Sequence, residues 1–261
     1  MQNSYGIICL KHFDDGIKIV MIKKATTYNF CEFVAGRYNK KDQKHLETLF
    51  NDMSYYEKMD ILTLQFSILW YRIYKDYPEN IFSDSKQNQR STFYFKRKAK
   101  FENSFLCDRG EKLKSLINNS NNTETPWEFP KGRKNKDEKD IETAMREFEE
   151  ETNIDSSKYN ILWHMNPYVE IYKDFGVTYK NTFFFAEAIG DWNVFCNFNN
   201  KIQMSEISDI KWISLQNLHI MNLNLVEYKR LITRFRTVIK RYKNYIKKNG
   251  SQRIYNLEKL L

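Results

Sequence analysis

The stretch FPKGRKNKDEKDIETAMREFEEETNI, residues 129–154, carries the strongest structural pattern in the chain. It joins a Pro-Lys-Gly turn to a segment whose apolar residues recur at i, i+3, i+4 and i+7, the spacing of one helical face. These apolar residues are Ile141, Ala144, Met145 and Phe148. The pattern predicts a helix that follows a tight turn and packs its apolar face on a core.

Three carboxylates share one patch of this predicted helix. Glu147, Glu150 and Glu151 stand at i, i+3 and i+4 and project together, whereas Glu149 is turned about 100° away from Glu150. Like charges at this spacing repel each other. A hard divalent cation would relieve the repulsion, and carboxylate oxygens suit Mg²⁺ or Mn²⁺. The patch is a candidate metal site, with a solvated acidic helix face as the alternative interpretation.

Basic residues of the preceding turn are expected at the same end of the helix. Lys131 and Arg133 are the candidates for holding a phosphate chain there. Metal-assisted attack on a phosphate chain is the chemistry that this combination suits. Taken singly, neither side chain is more informative than any exposed basic residue.

The spacing over the whole stretch is more specific than the glutamates alone. Five residues separate Gly132 from Glu138, and seven more precede Arg146-Glu147-Phe148-x-Glu150-Glu151-x-x-Ile154. This order resembles the Nudix box of the nucleoside-diphosphate-linked-moiety hydrolases. Asn153 departs from the family pattern, which usually has Gly there. Because Asn adopts the left-handed conformation more readily than other non-Gly residues, the helix can still end at this position.

The resemblance implies a fold and a set of roles. The implied fold class is α+β, a Nudix α/β/α sandwich. Glu147, Glu150 and Glu151 would be ligands of Mg²⁺ or Mn²⁺, with the carbonyl of Gly132 as a further ligand. The remaining implied catalytic residues, which would brace the loop against the helix, are Arg146 and Glu138.

Flanking segments indicate a narrower group within the family. Trp127-Glu128-Phe129-Pro130-Lys131-Gly132 resembles the entry to the Nudix box in mRNA-decapping enzymes, and residues 206–212 resemble their E-I-x-x-[IL]-x-W segment. Nearly the whole chain resembles the decapping enzymes of large cytoplasmic DNA viruses. This resemblance implies cleavage of the 5′ cap of mRNA to 7-methylguanosine diphosphate and 5′-monophosphate RNA. Glu206, expected in a mobile loop, is then a candidate general base or a further metal ligand.

The order of elements predicts an insertion. Two apolar runs around Asp14-Asp15-Gly16 predict a β-hairpin, and helical periodicity replaces strand periodicity from about residue 40. Ser54 and Glu57 have the spacing of a capping box at the start of one of these helices. We therefore predict a first Nudix part at residues 1–36, an inserted helical domain at 37–124 and a second Nudix part at 125–261. The resemblance implies that the inserted domain binds RNA.

The charge balance indicates polyanionic partners. Lys and Arg total 42 against 33 Asp and Glu, a formal net charge of +9. Basic residues cluster near residue 96 among aromatic residues and again on a long C-terminal helix. The candidate RNA-binding residues are Lys96, Arg97, Lys98, Lys100, Arg234, Lys240, Arg241, Lys243 and Lys247. A solvated charged face is the alternative interpretation.

Several functional classes are excluded, and others remain open. The four cysteines lie far apart without a C-x-x-C pair, so neither a zinc site nor a disulfide framework is expected. Neither a signal peptide nor a membrane span is predicted, and the expected location is cytoplasmic, in the host cell for a viral protein. The leading substrate is capped mRNA. Diphosphoinositol or dinucleoside polyphosphates, an RNA-binding protein without catalysis and a homodimer are left open.

Overall fold

The computed structural model describes residues 1–75, 85–174, 176–221 and 223–257. The strands are β1 Gln2–Phe13, β2 Gly16–Lys24, β3 Trp127–Glu128, β4 Lys131–Gly132, β5 Tyr159–Ile161, β6 Tyr168–Asp174, β7 Val177–Ala188 and β8 Ile207–Ser214. They form one eight-stranded sheet in which β3, β2, β1, β7 and β5 lie side by side, while β4 pairs with β1, β6 with β7 and β8 with β2. The first two strands form the predicted hairpin, with Phe13 opposite Gly16.

The described helices fall into two groups along the chain. Those between β2 and β3 are α1 Tyr28–Val34, α2 Gln43–Asn51, α3 Tyr55–Thr63, α4 Phe66–Tyr74, α5 Ser85–Phe105 and α6 Glu111–Asn118. Those after β4 are α7 Asp140–Thr152, α8 Lys201–Glu206 and α9 Leu225–Leu257. No helix within the described ranges combines the length and the apolar run that a membrane crossing requires.

The chain divides into two compact units. The first consists of Met1–Lys23 and Trp127–Leu261, and the second consists of Lys24–Pro126. The first division lies earlier than the predicted one after residue 36. Its physical reason is α1, whose Phe30, Phe33 and Val34 are buried in the core of the second unit. The later division agrees closely with the predicted one, since residues 125–126 separate the two positions.

The first unit is a sandwich because its central strand alternates between two cores. Ile7 and Cys9 of β1 belong to the core that contains Ala144 and Phe148 of α7. Ile8 and Leu10 belong to the opposite core, together with apolar residues of α9. Because successive side chains of a strand point to opposite faces, α7 and α9 cover the two faces of the sheet. The predicted α+β class and α/β/α sandwich are confirmed.

The second unit has an aromatic core of its own and a buried hydrogen-bond cluster around Glu57. The predicted capping box is present, with Glu57 accepting hydrogen bonds from the Ser54 backbone nitrogen at 2.8 Å and hydroxyl at 3.0 Å. The same carboxylate accepts from the backbone nitrogen and hydroxyl of Thr27 at 2.6 and 2.8 Å. Thr27 is in turn the N-cap of α1. Glu57 thus joins the first turns of α1 and α3.

Replacement of Glu57 is expected to destabilise the second unit. In Glu57→Gln an amide nitrogen would face backbone and hydroxyl donors that now share a carboxylate, which leaves buried donors unsatisfied. We expect a loss of about 1–3 kcal/mol in the free energy of unfolding, measured by urea denaturation. The matched control is Glu47→Gln on the exposed face of α2. Equal stability of the two variants would show that the hydrogen bonds of Glu57 do not stabilise the second unit.

Candidate active site

Helix α7, which carries the three candidate glutamates, packs its apolar face on the core and ends at Asn153. Ala144 and Phe148 are fully buried, as the apolar pattern predicts. The helix ends at Asn153, which has φ 58° and ψ 31° and whose backbone nitrogen donates to the carbonyl of Glu149. The expected left-handed Asn is therefore present where the Nudix pattern usually has Gly, and it ends the helix immediately after the glutamate cluster.

Arg146 is the hub that links α7 to the preceding loop. Its Nε and Nη2 donate to the two carboxylate oxygens of Glu138 at 2.7 and 3.0 Å, and Nη2 also donates to the carbonyl of Arg133 at 3.0 Å. Glu138 further accepts from the backbone nitrogen and side chain of Asn135 and from the Thr143 hydroxyl. Arg146, followed by these other donors, holds the pKa of Glu138 far below its usual range. This is the bracing arrangement that the resemblance implies.

The predicted carboxylates do lie together. Arg146 Nη1 donates to Glu147 at 2.8 Å and to Glu150 at 3.0 Å, while Glu151 is almost fully buried. Burial raises the pKa of Glu147, and the negative charges of Glu150 and Glu206 raise it further, against the lowering effect of Arg146. The cluster is thus held together at an electrostatic cost that one arginine only partly offsets. Glu149 is exposed, as its helical position predicts.

The Pro-Lys-Gly turn lies against these glutamates. The backbone nitrogen of Lys131 donates to Glu151 Oε2 at 2.8 Å. A Cβ atom on Gly132 would lie 1.9 Å from Glu147 Oε2, so only glycine leaves room for that carboxylate. Pairing of β4 with β1, which places Gly132 opposite Tyr5, fixes the turn in the sheet. The turn and the helix therefore form one site.

Glu206 joins the site from another element. It lines a small cleft together with Glu147, Glu150, Glu151 and Gln203. The expectation that Glu206 lies in a loop is wrong, because it is the last residue of α8. Asn200 stabilises the start of this helix. Its side-chain oxygen accepts from the backbone nitrogen of Gln203, and its carbonyl accepts from that of Met204.

The donor chemistry of this cleft fits a divalent cation. Clustered carboxylates with a raised pKa at Glu147, and a glycine that leaves space beside them, are features that a hard cation would stabilise. Within the described ranges, however, no three His, Cys, Asp or Glu side chains already converge in a metal-binding geometry. The reason is visible in the contacts, since Arg146 and the Lys131 backbone engage the carboxylate oxygens instead.

The two candidate phosphate-binding residues differ in their surroundings. Lys131 Nζ lies 2.6 Å from Glu128 Oε2, and both side chains are largely buried. Arg133 is exposed and donates through Nη2 to Gln2 Oε1 at 2.7 Å. Arg133 is therefore accessible to a phosphate, whereas Lys131 would have to exchange its carboxylate partner for one.

The candidate RNA-binding residues of α5 separate into two pairs. Lys100 donates to the carbonyls of Gly36 and Tyr38 at 2.7 and 2.5 Å, and Arg97 packs its guanidinium 4.5 Å from the Phe93 ring centre. Lys100 therefore holds the loop after α1, whereas Arg97 packs against an aromatic ring of its own helix. Lys96 is exposed and Lys98 lies 3.8 Å from Glu102, so these two are more accessible to a phosphate.

The candidates on α9 separate in the same way. Arg234 forms an ion pair with Glu170, and Arg241 donates to the carbonyls of Asn166 and Pro167. Both side chains therefore hold α9 against the sheet. The exposed residues among the α9 candidates are Lys240, Lys243 and Lys247.

Sequence reasoning did not identify a basic groove on α9 or the buried side chain of Gln203. Arg236 lines an open groove with Lys240, Lys243 and Asn244, and among the described residues none of the three cations is paired with a carboxylate. Their spacing of i, i+4 and i+7 is the pattern that could have indicated a shared groove. Gln203, buried in the glutamate cleft, gave no such indication because glutamine occurs commonly on exposed helices.

Comparison with known proteins identifies the family of the chain. Residues 103–235 match the family described as NUDIX domain. The chain is 30% identical over 230 residues to mRNA-decapping protein g5R of African swine fever virus, isolate Warthog/Namibia/Wart80/1980, covering 85% of this chain and 89% of that protein. The chain belongs to the NUDIX domain family, and the resemblance read from its box is confirmed.

Two further proteins are similar to this chain. The g5R protein of African swine fever virus isolate Pig/Kenya/KEN-50/1950 is 30% identical over 231 residues, which cover 85% of this chain and 89% of that protein. A crystal structure of a C. elegans Ap4A hydrolase binary complex has a TM-score of 0.44 and 10% identity, covering 94% of this chain and 98% of that one.

Proposed function

We propose that this protein is an mRNA-decapping Nudix hydrolase. The observation that carries the proposal is the cleft in which α7 and α8 bring together Glu147, Glu150, Glu151 and Glu206 beside the Pro-Lys-Gly turn. The substrate follows from the 30% identity to mRNA-decapping protein g5R over most of both chains. Cytoplasmic location belongs to the same proposal.

The proposed reaction is attack of water on the phosphate chain of the cap. Its products are 7-methylguanosine diphosphate and RNA with a 5′-monophosphate. Glu147, Glu150 and Glu151 would hold Mg²⁺ or Mn²⁺, with the Gly132 carbonyl as a further ligand. When bound, such a cation polarises the phosphate oxygens and lowers the pKa of water.

The other residues of the site have separate proposed roles. Glu206, at the end of α8, accepts the proton of the attacking water. Arg146 and Glu138 keep the turn and α7 in register, as their paired hydrogen bonds indicate. Arg133 and Lys131 bind the phosphate chain, and the Lys131 side chain exchanges Glu128 for a phosphate oxygen.

The body of the RNA is proposed to contact the exposed cations rather than all of the predicted ones. On α9 we assign these contacts to Arg236, Lys240, Lys243 and Lys247, and on α5 to exposed Lys96 and half-buried Lys98. Phosphate contacts of this kind give affinity without sequence preference and make it sensitive to salt. Arg97, Lys100, Arg234 and Arg241 are assigned to holding the fold.

Charge reversal tests this division on α9. Lys240→Glu with Lys243→Glu is expected to weaken RNA binding and to flatten its salt slope by about one unit for each phosphate that is no longer bound. The matched control is Lys158→Glu with Lys173→Glu, which changes the net charge equally at exposed positions of the same unit. Fluorescence anisotropy with labelled RNA between low and moderate salt measures both slopes. Equal slopes for the two double variants would place the RNA elsewhere.

Product analysis tests the reaction itself. Cap-labelled RNA is incubated with the protein and either Mg²⁺ or Mn²⁺, and the released nucleotide is identified by chromatography. Release of 7-methylguanosine diphosphate is the expected result. Parallel assays with diphosphoinositol polyphosphates and dinucleoside polyphosphates test the alternative substrates. Intact cap together with turnover of these small substrates would overturn the decapping proposal.

A further inference from the structure

Gln203 is a fully buried polar side chain between the two helices of the glutamate cleft. Its amide nitrogen donates to the backbone carbonyl of Glu151 at 3.0 Å, and its amide oxygen accepts from the backbone nitrogen of Asn197 at 2.6 Å. Both ends of the side chain are thus satisfied by backbone. Gln203 also lines the cleft together with Glu147 and Glu206.

The hydrogen bond from Gln203 to Glu151 is made to a backbone carbonyl that has no partner within its own helix. The last carbonyls of an α-helix have no partner within the helix, and Glu151 is the penultimate residue of α7. Gln203 satisfies this carbonyl from a different element. At the opposite end of Glu151, the carboxylate accepts from the backbone nitrogen of Lys131. Glu151 therefore receives one fixed contact from the turn and another from α8.

The position of Gln203 on α8 links this contact to Glu206. The two residues stand at i and i+3, so their side chains lie on neighbouring faces of the same short helix. A second contact runs in parallel, from the Asn200 side chain to that of Asn153 at 3.3 Å. These contacts join α8 and the residue before it to the C-terminal end of α7, and Glu206 follows three residues after Gln203 on the same helix.

We propose that Gln203 is a positioning residue that sets the distance of Glu206 from the glutamates of α7. This inference rests on the proposed function, in which Glu206 accepts the proton of the attacking water. Gln203 itself touches neither substrate nor metal. Loss of its two hydrogen bonds leaves the carboxylates of α7 in place but lets α8 shift with Glu206.

The test is a double-mutant comparison in the full chain. Gln203→Met keeps the length of the side chain and removes both hydrogen bonds. Its control is Gln43→Met, the same substitution at an exposed position of α2. We expect Gln203→Met to lower kcat for decapping about tenfold, with KM for RNA within about twofold and Gln43→Met unchanged. In the Glu206→Gln background, adding Gln203→Met is expected to cause no further loss of kcat.

The outcomes separate the inference from the function on which it rests. Additive losses in the two backgrounds, or an unchanged kcat in Gln203→Met, would overturn the positioning role. Absence of cap release by the unmodified protein would instead overturn the proposed function. If thermal denaturation shows that Gln203→Met does not fold, Gln203→Asn replaces it. That variant stays uncharged and keeps an amide, but its shorter side chain cannot reach both Asn197 and Glu151, so the same comparison of backgrounds applies.

Discussion

Glu150→Gln is expected to lower the rate of cap hydrolysis by at least about 10²-fold while leaving RNA affinity nearly intact. Glu150 stands in the cleft with Glu147 and Glu151 and shares Arg146 Nη1 with Glu147. An amide keeps the size of this side chain but removes the negative charge that a cation needs. In the proposed mechanism Glu150 is a metal ligand, and its loss mainly raises the barrier to reaction because the proposed RNA contacts are made by other residues.

The matched control for this prediction is the neighbouring residue. Glu149→Gln makes the same chemical change on the same helix at an exposed position outside the cleft. Single-turnover decapping and anisotropy with uncleaved RNA measure rate and affinity separately. Equal losses of rate and affinity in Glu150→Gln, or equal rates in the two variants, would contradict the assignment of Glu150 to the metal site.

Gly132→Ala is expected to disrupt the site by sterics rather than charge. The added Cβ would lie within 1.9–2.3 Å of both oxygens and the carboxyl carbon of Glu147, a separation that real atoms do not adopt. The Glu147 carboxylate must therefore leave its observed position beside residue 132. A displacement of about 1 Å in a catalytic group costs about 10²-fold in rate, so we expect a loss of that order.

Stability and metal affinity identify the cause of this loss. Because β4 pairs with β1 through the backbone, Gly132→Ala is expected to keep the fold, with thermal unfolding close to that of Lys136→Ala at an exposed position of the same loop. Titration with Mn²⁺ by calorimetry is expected to show weaker binding in Gly132→Ala alone. Full activity in this variant would show that Glu147 does not need its observed position.

The glutamate cluster of α7 was predictable because it is local. Helical periodicity fixes which residues share a face, so Glu147, Glu150 and Glu151 could be grouped and Glu149 set apart without any tertiary information. The left-handed Asn153 followed from the intrinsic preferences of that residue in the same way. The capping box of Ser54 and Glu57 is a third local pattern, and it too is present.

Contacts between distant segments were beyond the same reasoning. Gln203 meets Glu151 across 52 positions of sequence, and Glu57 meets Thr27 across 30. Local pattern does not specify which backbone group a buried amide or carboxylate reaches, because that depends on how the elements pack. The same limit explains why Arg97, Lys100, Arg234 and Arg241 were grouped with the RNA-binding cations, although their contacts hold carbonyls and carboxylates of this protein.

The Nudix class, the α+β fold and the helix that carries three glutamates could be predicted from the sequence, because periodicity, caps and motif spacing act between residues close in the chain. Packing of distant segments determines which basic side chains are exposed, places α1 in the second unit and brings Glu206 to the cleft at the end of a helix. Polar groups that are removed from water bond to the partners that this packing brings to them.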